Sequence, residues 1–315
     1  MKVEKRKIAL VAVVIMSMVM TAFSSVCVLE TGGNKVYAAT GGKLEIVYKL
    51  KKLVVGMSEY PQVKKGSETL SGGDMTWKSS NKKVAAVNSY GMVTAKKAGT
   101  VTITAVNKKN KKQKATCKLV VTNNISGTYK KTKWKLSKGG VLEVKGTGNM
   151  YAKEKMPPWY KYKGFVKSAK IEVKGATNLS RLFLDCYYLK IVNLSKLDTS
   201  KLMDMFQIFY GCWSLRNLNV SGFNTSKVQR MGLMFENCRI LEKLDLSNFD
   251  ISNCKDHVNM FSGCKSLITI YTPKWSAEQI PELPEGTWTD SSGQNYTTLP
   301  VNATESIVLV KTVKS

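Results

Sequence analysis

The residues best equipped for chemistry are seven cysteines, one histidine and 22 carboxylates in a chain of 315 residues. Four cysteines, Cys186, Cys212, Cys238 and Cys264, recur every 26 residues. Zinc needs thiolates and imidazoles clustered at ligand spacing, and no Cys-x-x-Cys pair exists. The single imidazole, His257, rules out a multi-His centre and supports no recognisable triad. The carboxylates fall in no catalytic setting, and there is no Gly-rich phosphate loop. These residues therefore predict no enzyme: no catalytic, cofactor-binding or metal-ligating site. Two uses remain for evenly spaced cysteines. Disulfides are conceivable in an exported protein. Equivalent positions of a repeat would instead stack small buried thiols, and we prefer that reading. Cys254 shares its register with Leu202 and Val228, and His257 shares its own with Met205 and Met231, so both read as variations within a repeat.

The elements that position the cysteines follow the same interval. Phe183, Phe209, Phe235 and Phe261 are in phase with them, as are Leu189, Leu215, Leu241 and Leu267. Val192, Leu218, Leu244 and Ile270 form a further column. A period in the twenties with Leu-x-x-Leu-x-Leu predicts a leucine-rich solenoid over residues 176–275, in which each unit buries its apolar face on its neighbours. The alternation Leu241-Glu-Lys-Leu244-Asp-Leu246 predicts a short strand. Ser226, followed by Val228, Met231, Met234 and Phe235 at intervals of three to four, predicts a helical turn. Polar positions beside the strand residues, Lys190, Asn193, Arg216, Asn219, Lys243 and Asp245, are the candidate ligand surface. Trp213, just after Cys212, is either an exposed aromatic anchor or a cover over the repeat core.

Residues 44–122 carry short alternating runs of Val, Thr and Ile broken by Gly and Asn, the pattern of a small antiparallel sandwich. Residues 108–112, nearly all Lys, lie between two such runs and predict a hairpin loop. Residues 125–175 also read as strands and turns, too few for an independent sandwich, and so form a lead-in or N-terminal cap. Residues 276–315 form a C-terminal cap or tail ending in a strand near Leu309. The predicted fold is thus mainly β with short helices: a sandwich, then a small solenoid with β lead-in and tail.

Two segments also resemble known families. Trp77-Lys-Ser-Ser-Asn81, Val84-Ala85, Gly91-Met-Val93-Thr-Ala95, Ala98-Gly99-Thr100 and Cys117-Lys-Leu-Val-Val121 resemble the group 2 bacterial immunoglobulin-like domain. That resemblance implies a spacer or adhesion module of surface proteins. Phe223-Asn-Thr-Ser-Lys-Val228, Met234-Phe235-Glu-Asn-Cys238 and Leu244-Asp-Leu-Ser-Asn-Phe-Asp250 resemble the BspA-type leucine-rich repeat of bacterial surface proteins. It implies adhesion to host matrix, glycans or other bacteria. The first unit departs from the pattern at Leu184-Asp-Cys-Tyr-Tyr188.

Residues 1–38 have the layout of a signal peptide: basic residues 1–7, an apolar run from Ile8, then Val36-Tyr37-Ala38-Ala39 for cleavage after Ala38. An uncleaved anchor is the alternative, weakened by Ser17, Thr21, Ser24 and Ser25. Cys27 lacks the small residue expected before a lipoprotein cysteine. Leu283-Pro-Glu-Gly-Thr287 has Gly and Thr in the wrong order for a sortase signal, and no apolar segment follows. The expected location is therefore extracellular or at the cell surface, with no membrane span after cleavage.

Charge adds one more constraint. There are 49 Lys+Arg against 22 Asp+Glu, a net charge of +27, and only five residues are Arg. Nucleic-acid readers lean on the bidentate Arg fork, so a lysine excess argues against that partner and for a broad positive field. Residues 44–122 hold 16 basic and 4 acidic groups, whereas 177–275 hold 12 and 8. The expected partners are a host or bacterial surface protein or glycan at the repeats, and anionic cell-wall polymers at the lysine-rich half.

Overall fold

The computed structural model describes residues 28–31, 34–37, 43–150, 156–273, 281–300 and 305–312. The signal region, its cleavage site after Ala38 and Cys27 lie outside them. The exception is an antiparallel hairpin of β1 (Val28–Thr31) and β2 (Asn34–Tyr37). No described helix is long and apolar enough to cross a membrane. The chain divides into two compact units, 1–122 and 123–315.

The first unit runs β3 (Leu44–Val47), β4 (Lys52–Val54), β5 (Ser58–Glu59), β6 (Gln62–Lys65), β7 (Glu68–Leu70), β8 (Met75–Ser79), β9 (Ala85–Val87), β10 (Val93–Ala95), β11 (Gly99–Asn107) and β12 (Lys114–Thr122). They form sheets in the orders β4-β12-β11-β8, β3-β6-β7 and β5-β10-β9. The longest pair, β11 and β12, is an antiparallel hairpin, and residues 108–113 make its loop as expected. In β11 the alternation is strict: Val101, Ile103 and Ala105 are buried and the Thr residues between them are not. Leu44, Val63, Met75, Ala105 and Ala115 form one core, with Ile46, Leu70 and Trp77 packed against it. Gly91 (φ +89°) is where a side chain is impossible, because a Cβ there would lie 2.5 Å from the Trp77 ring.

The second unit begins with β13 (Asn124–Tyr129), β14 (Thr132–Ser137), β15 (Val141–Thr147), β16 (Ser168–Lys174) and β17 (Ile191–Asn193). β13 to β15 form an antiparallel meander, and then β15, β16 and β17 pair in parallel. The lead-in sheet therefore runs into the first repeat strand, where the stacking direction of the coils is set. The later strands are β18 (Lys243–Asp245), β19 (Thr269–Tyr271), β20 (Trp288–Thr289), β21 (Asn295–Tyr296) and β22 (Val308–Lys311), ordered β18-β19-β22-β20-β21. The expected terminal strand is β22.

The repeats stack as the 26-residue period requires. Rings of Phe183, Phe209, Phe235 and Phe261 lie 5.6, 6.0 and 6.1 Å apart, within 15° of parallel. All four are buried, at about 1.5–3 kcal/mol of transfer free energy each.

The helical turn expected after Ser226 does not form, and among the described residues the only helical turns are two short 3-10 segments, Gly72–Asp74 and Tyr160–Tyr162. The amides of Met231, Leu233, Phe235 and Asn237 instead leave their coil and donate to the carbonyls of Asp256, Val258, Met260 and Ser262, at 2.6 to 3.0 Å. An α-helix would need those amides for its own bonds. Leu233 also has φ +58°, as do its equivalents Arg181 (+58°) and Gln207 (+57°). The spacing of three to four reflects a tight coil that bonds to the next coil.

Candidate ligand surface on the repeat array

The first three repeats turn two corners with the same device. The Oδ1 of Asn193, Asn219 and Asp245 accepts both the amide and the hydroxyl of the Ser two residues later. Asp198, Asn224 and Asp250 do the same with Ser200, Ser226 and Ser252. Such side chains mimic a backbone turn and fix the chain's exit from the strand. Asp198 also accepts the Gly175 amide. The Ser200 hydroxyl and amide, with that of Gly175, hold its carboxyl down at about 2.

Between the corners the strand face is broken. β17 lies at the edge of one sheet and β18 at the edge of the other. Residues 217–219 occupy the equivalent place in the second repeat and make no ladder hydrogen bond to either strand. The sequence explains the break. The four equivalent segments read Ile-Val-Asn, Asn-Leu-Asn, Lys-Leu-Asp and Thr-Ile-Tyr. The second flanks its buried Leu218 with two Asn, a residue depleted in strands.

Two adjoining hollows lie along the break. One, of about 540 Å³, is lined by residues 192–195, Leu197, Asn219, Ser221, Gly222 and Phe223. The other, of about 480 Å³, is bordered by Lys190, Ile191, Asn217, Asn219, Lys243 and Asp245. Five of the seven candidate surface residues therefore converge here: Lys190, Asn193, Asn219, Lys243 and Asp245. Arg216 does not join them, because its guanidinium pairs with Glu242 of the next coil. Lys243 places its ammonium 4.5 Å from the Tyr271 ring.

Trp213 lies away from this face. The residue is 40% exposed, but its ring is flanked by Tyr187 of the preceding coil at 4.6 Å and by the Arg239 guanidinium of the next at 4.3 Å. It offers an edge to solvent rather than a free platform. Sequence reasoning missed Ile191, Asn217, Ser221 and Gly222. The usable signal was the Asn-Leu-Asn triplet together with Gly222, which stands where neighbouring repeats have Lys196 and Asn248.

The cysteines are free thiols among the described residues, and Cys186, Cys212, Cys238 and Cys264 are buried. The Sγ of Cys212, Cys238 and Cys264 donates to the carbonyls of Phe183, Phe209 and Phe235 in the preceding coil, at 3.3, 3.3 and 3.1 Å. Burial pushes the thiols of Cys186 and Cys264 up to about 12, and those of Cys212 and Cys238 well above the ordinary range. A thiol so held is neither a nucleophile nor a metal ligand, since both roles need the thiolate. His257 leaves its buried Nε2 without a partner.

Comparison with known proteins follows the same division. Residues 44–119 match the model of the bacterial Ig-like domain (group 2). Residues 177–289 match that of a Mycoplasma protein of unknown function, DUF285. No curated protein matches. Among solved structures, the chain is similar to a leucine-rich repeat protein from Eubacterium ventriosum ATCC 27560, at 15% identity and TM-score 0.34, over 57% of this chain and 52% of that one. It is also similar to a leucine rich cell surface protein from Faecalibacterium prausnitzii A2-165, at 16% identity and TM-score 0.22, over 54% of this chain and 60% of that one. The chain thus spans little more than half the length of these structures.

Proposed function

We propose that the chain is an exported cell-surface binding protein, whose repeats present a ligand surface and whose immunoglobulin-like unit acts as a spacer or wall contact. The observation that carries this reading is the break in the strand face at 217–219, where unpaired backbone edges and five polar candidates border the same hollows. The signal-like N-terminus supports export, and one structural neighbour is named a cell surface protein. A chain that binds rather than catalyses also fits the inert thiols. The test is binding of the mature chain to matrix-protein and glycan arrays at rising salt. Binding that survives 0.3 M salt supports the reading, because exposed charge interactions are largely screened at that strength, where the Debye length is below about 8 Å.

A second reading, a structural wall- or matrix-associated protein held by charge, rests on its own observation. The open face of β13, β14 and β15 carries a hollow of about 650 Å³ bordered by Lys131, Lys133, Lys135 and Lys145, with Glu143 as its one carboxylate. Lys145 is paired with Glu172, and Lys131, Lys133 and Lys135 form no ion pair among the described residues. If every tested surface releases the protein by 0.3 M salt, this anionic-polymer reading replaces the first.

A further inference from the structure

The slot between β17 and 217–219 differs from an ordinary strand face in what it leaves open. The backbone groups of 217–219 bond to neither β17 nor β18, so donors and acceptors are left without a ladder partner along the slot. Asn193 and Asn219 use only Oδ1 in their corners, so their Nδ2 groups find no partner among the described residues. The Asn217 side chain has none either. Ile191, 67% exposed, adds an apolar wall beside them.

The slot is also limited in width. On one flank the two coils are held by the Leu179 amide on the Asp204 carbonyl (2.9 Å), the Asp185 amide on the Tyr210 carbonyl (2.7 Å) and the stacked Phe183 and Phe209. On the other, the Asn224 amide donates to the Thr199 hydroxyl at 2.8 Å. Inserting a peptide strand would separate β17 and 217–219 to roughly 9–10 Å, twice the ordinary spacing. Coils tied on both flanks do not open that far, so a ligand sits at the mouth of the slot, in the two hollows, and not between the two backbones.

We infer that this slot binds a neutral, hydroxyl-rich sugar, the end or a short run of a glycan. Each sugar hydroxyl both donates and accepts, which matches mixed backbone edges and amide Nδ2 donors. The C–H face of a pyranose matches Ile191. The mixed charges at the rim, Lys190, Lys243 and Asp245, do not make a polyanion site. The inference deepens the binding-protein reading and rests on it.

The experiment titrates the full mature chain with maltotriose, cellotriose and triacetylchitotriose, by calorimetry and saturation-transfer NMR, in 0.3 M salt. At least one should bind. The double variant Asn193→Asp/Asn219→Asp keeps the Oδ1 that the corner needs, as Asp245 shows, and removes both Nδ2 donors. It should weaken binding at least tenfold with an unchanged melting midpoint. Gly222→Tyr adds a side chain where a Cβ meets nothing within 4 Å, and should block the slot. The inference is overturned if none of the three sugars binds, or if both variants bind as the wild type does. Should a protein ligand bind the wild type and be lost from these variants while sugars do not bind, the sugar assignment falls and the binding face stands. Should neither bind, both readings fall.

Discussion

The cysteines show how position decides chemistry at the scale of single residues. Evenly spaced cysteines invite a disulfide framework, yet equivalent residues of a solenoid point the same way and stack. Here the thiols of Cys212, Cys238 and Cys264 each satisfy a second lone pair on a buried Phe carbonyl, and that of Cys254 donates to the Asp256 carbonyl. Alkylation of the native protein at pH 8 should therefore spare Cys186, Cys212, Cys238 and Cys264, and denaturation should expose all four to mass-spectrometric labelling. Protection that persists after denaturation without reductant would instead mean disulfides. Asp198 gives a second expectation. Its folded value of about 2 lies below the ordinary Asp value near 3.9. The stability it contributes is complete above about pH 4 and is lost as pH falls towards 2. Asp198→Asn keeps the Oδ1 acceptor, as Asn224 does in the equivalent corner. Its melting midpoint should therefore fall less steeply between pH 4 and 2 than that of the wild type, and an identical fall in both proteins would show that Asp198 is not the group that titrates.

The coil is the unit that matters at the next scale, and the Phe stack is its axis. Phe235 sits between Phe209 and Phe261 and is fully buried. Phe235→Ala should cost about 3–5 kcal/mol by urea unfolding of the repeat unit, with the immunoglobulin-like unit's transition unmoved. A loss under 1 kcal/mol would mean that the coils tolerate a gap. The column register was legible in the sequence because burial repeats every 26 residues and leaves Phe, Leu and Cys in phase. The alternation in β11 was legible for the same reason. What misled was the run from Val228 to Phe235: apolar residues three to four apart describe a helix and a tight non-helical coil equally well. The distinguishing signal was the left-handed column of Asp185, Gly211, Asn237 and Gly263, residues that tolerate positive φ. The candidate site was half legible. The corner Asn and Asp stood out by their spacing, but the slot arises from a missing ladder, which no single residue announces.

Charge divides along the molecule as a whole. The excess lies in residues 44–176, while the repeats are nearly balanced. Residues 44–122 should therefore bind isolated cell walls at low salt and be released by salt, whereas the repeats should not; equal retention of both segments would show that charge does not sort them. The bonding between coils has a direction too. On the turn side the amides within 179–185, 205–211 and 231–237 that leave a coil point to the carbonyls of the next, whereas those of Met203, Gln229 and Lys255, at the entry to each turn, point back to the coil before. The first coil is closed off by Asn149, which accepts the amides of Thr177 and Asn178, and by the Trp159 indole, which donates to the Leu182 carbonyl. Interior coils, by contrast, have interchangeable upper and lower surfaces. In-frame gain or loss of one whole unit in the gene would thus leave both closures intact. Recombination between the repeats can therefore change the length of the array without new ends having to evolve.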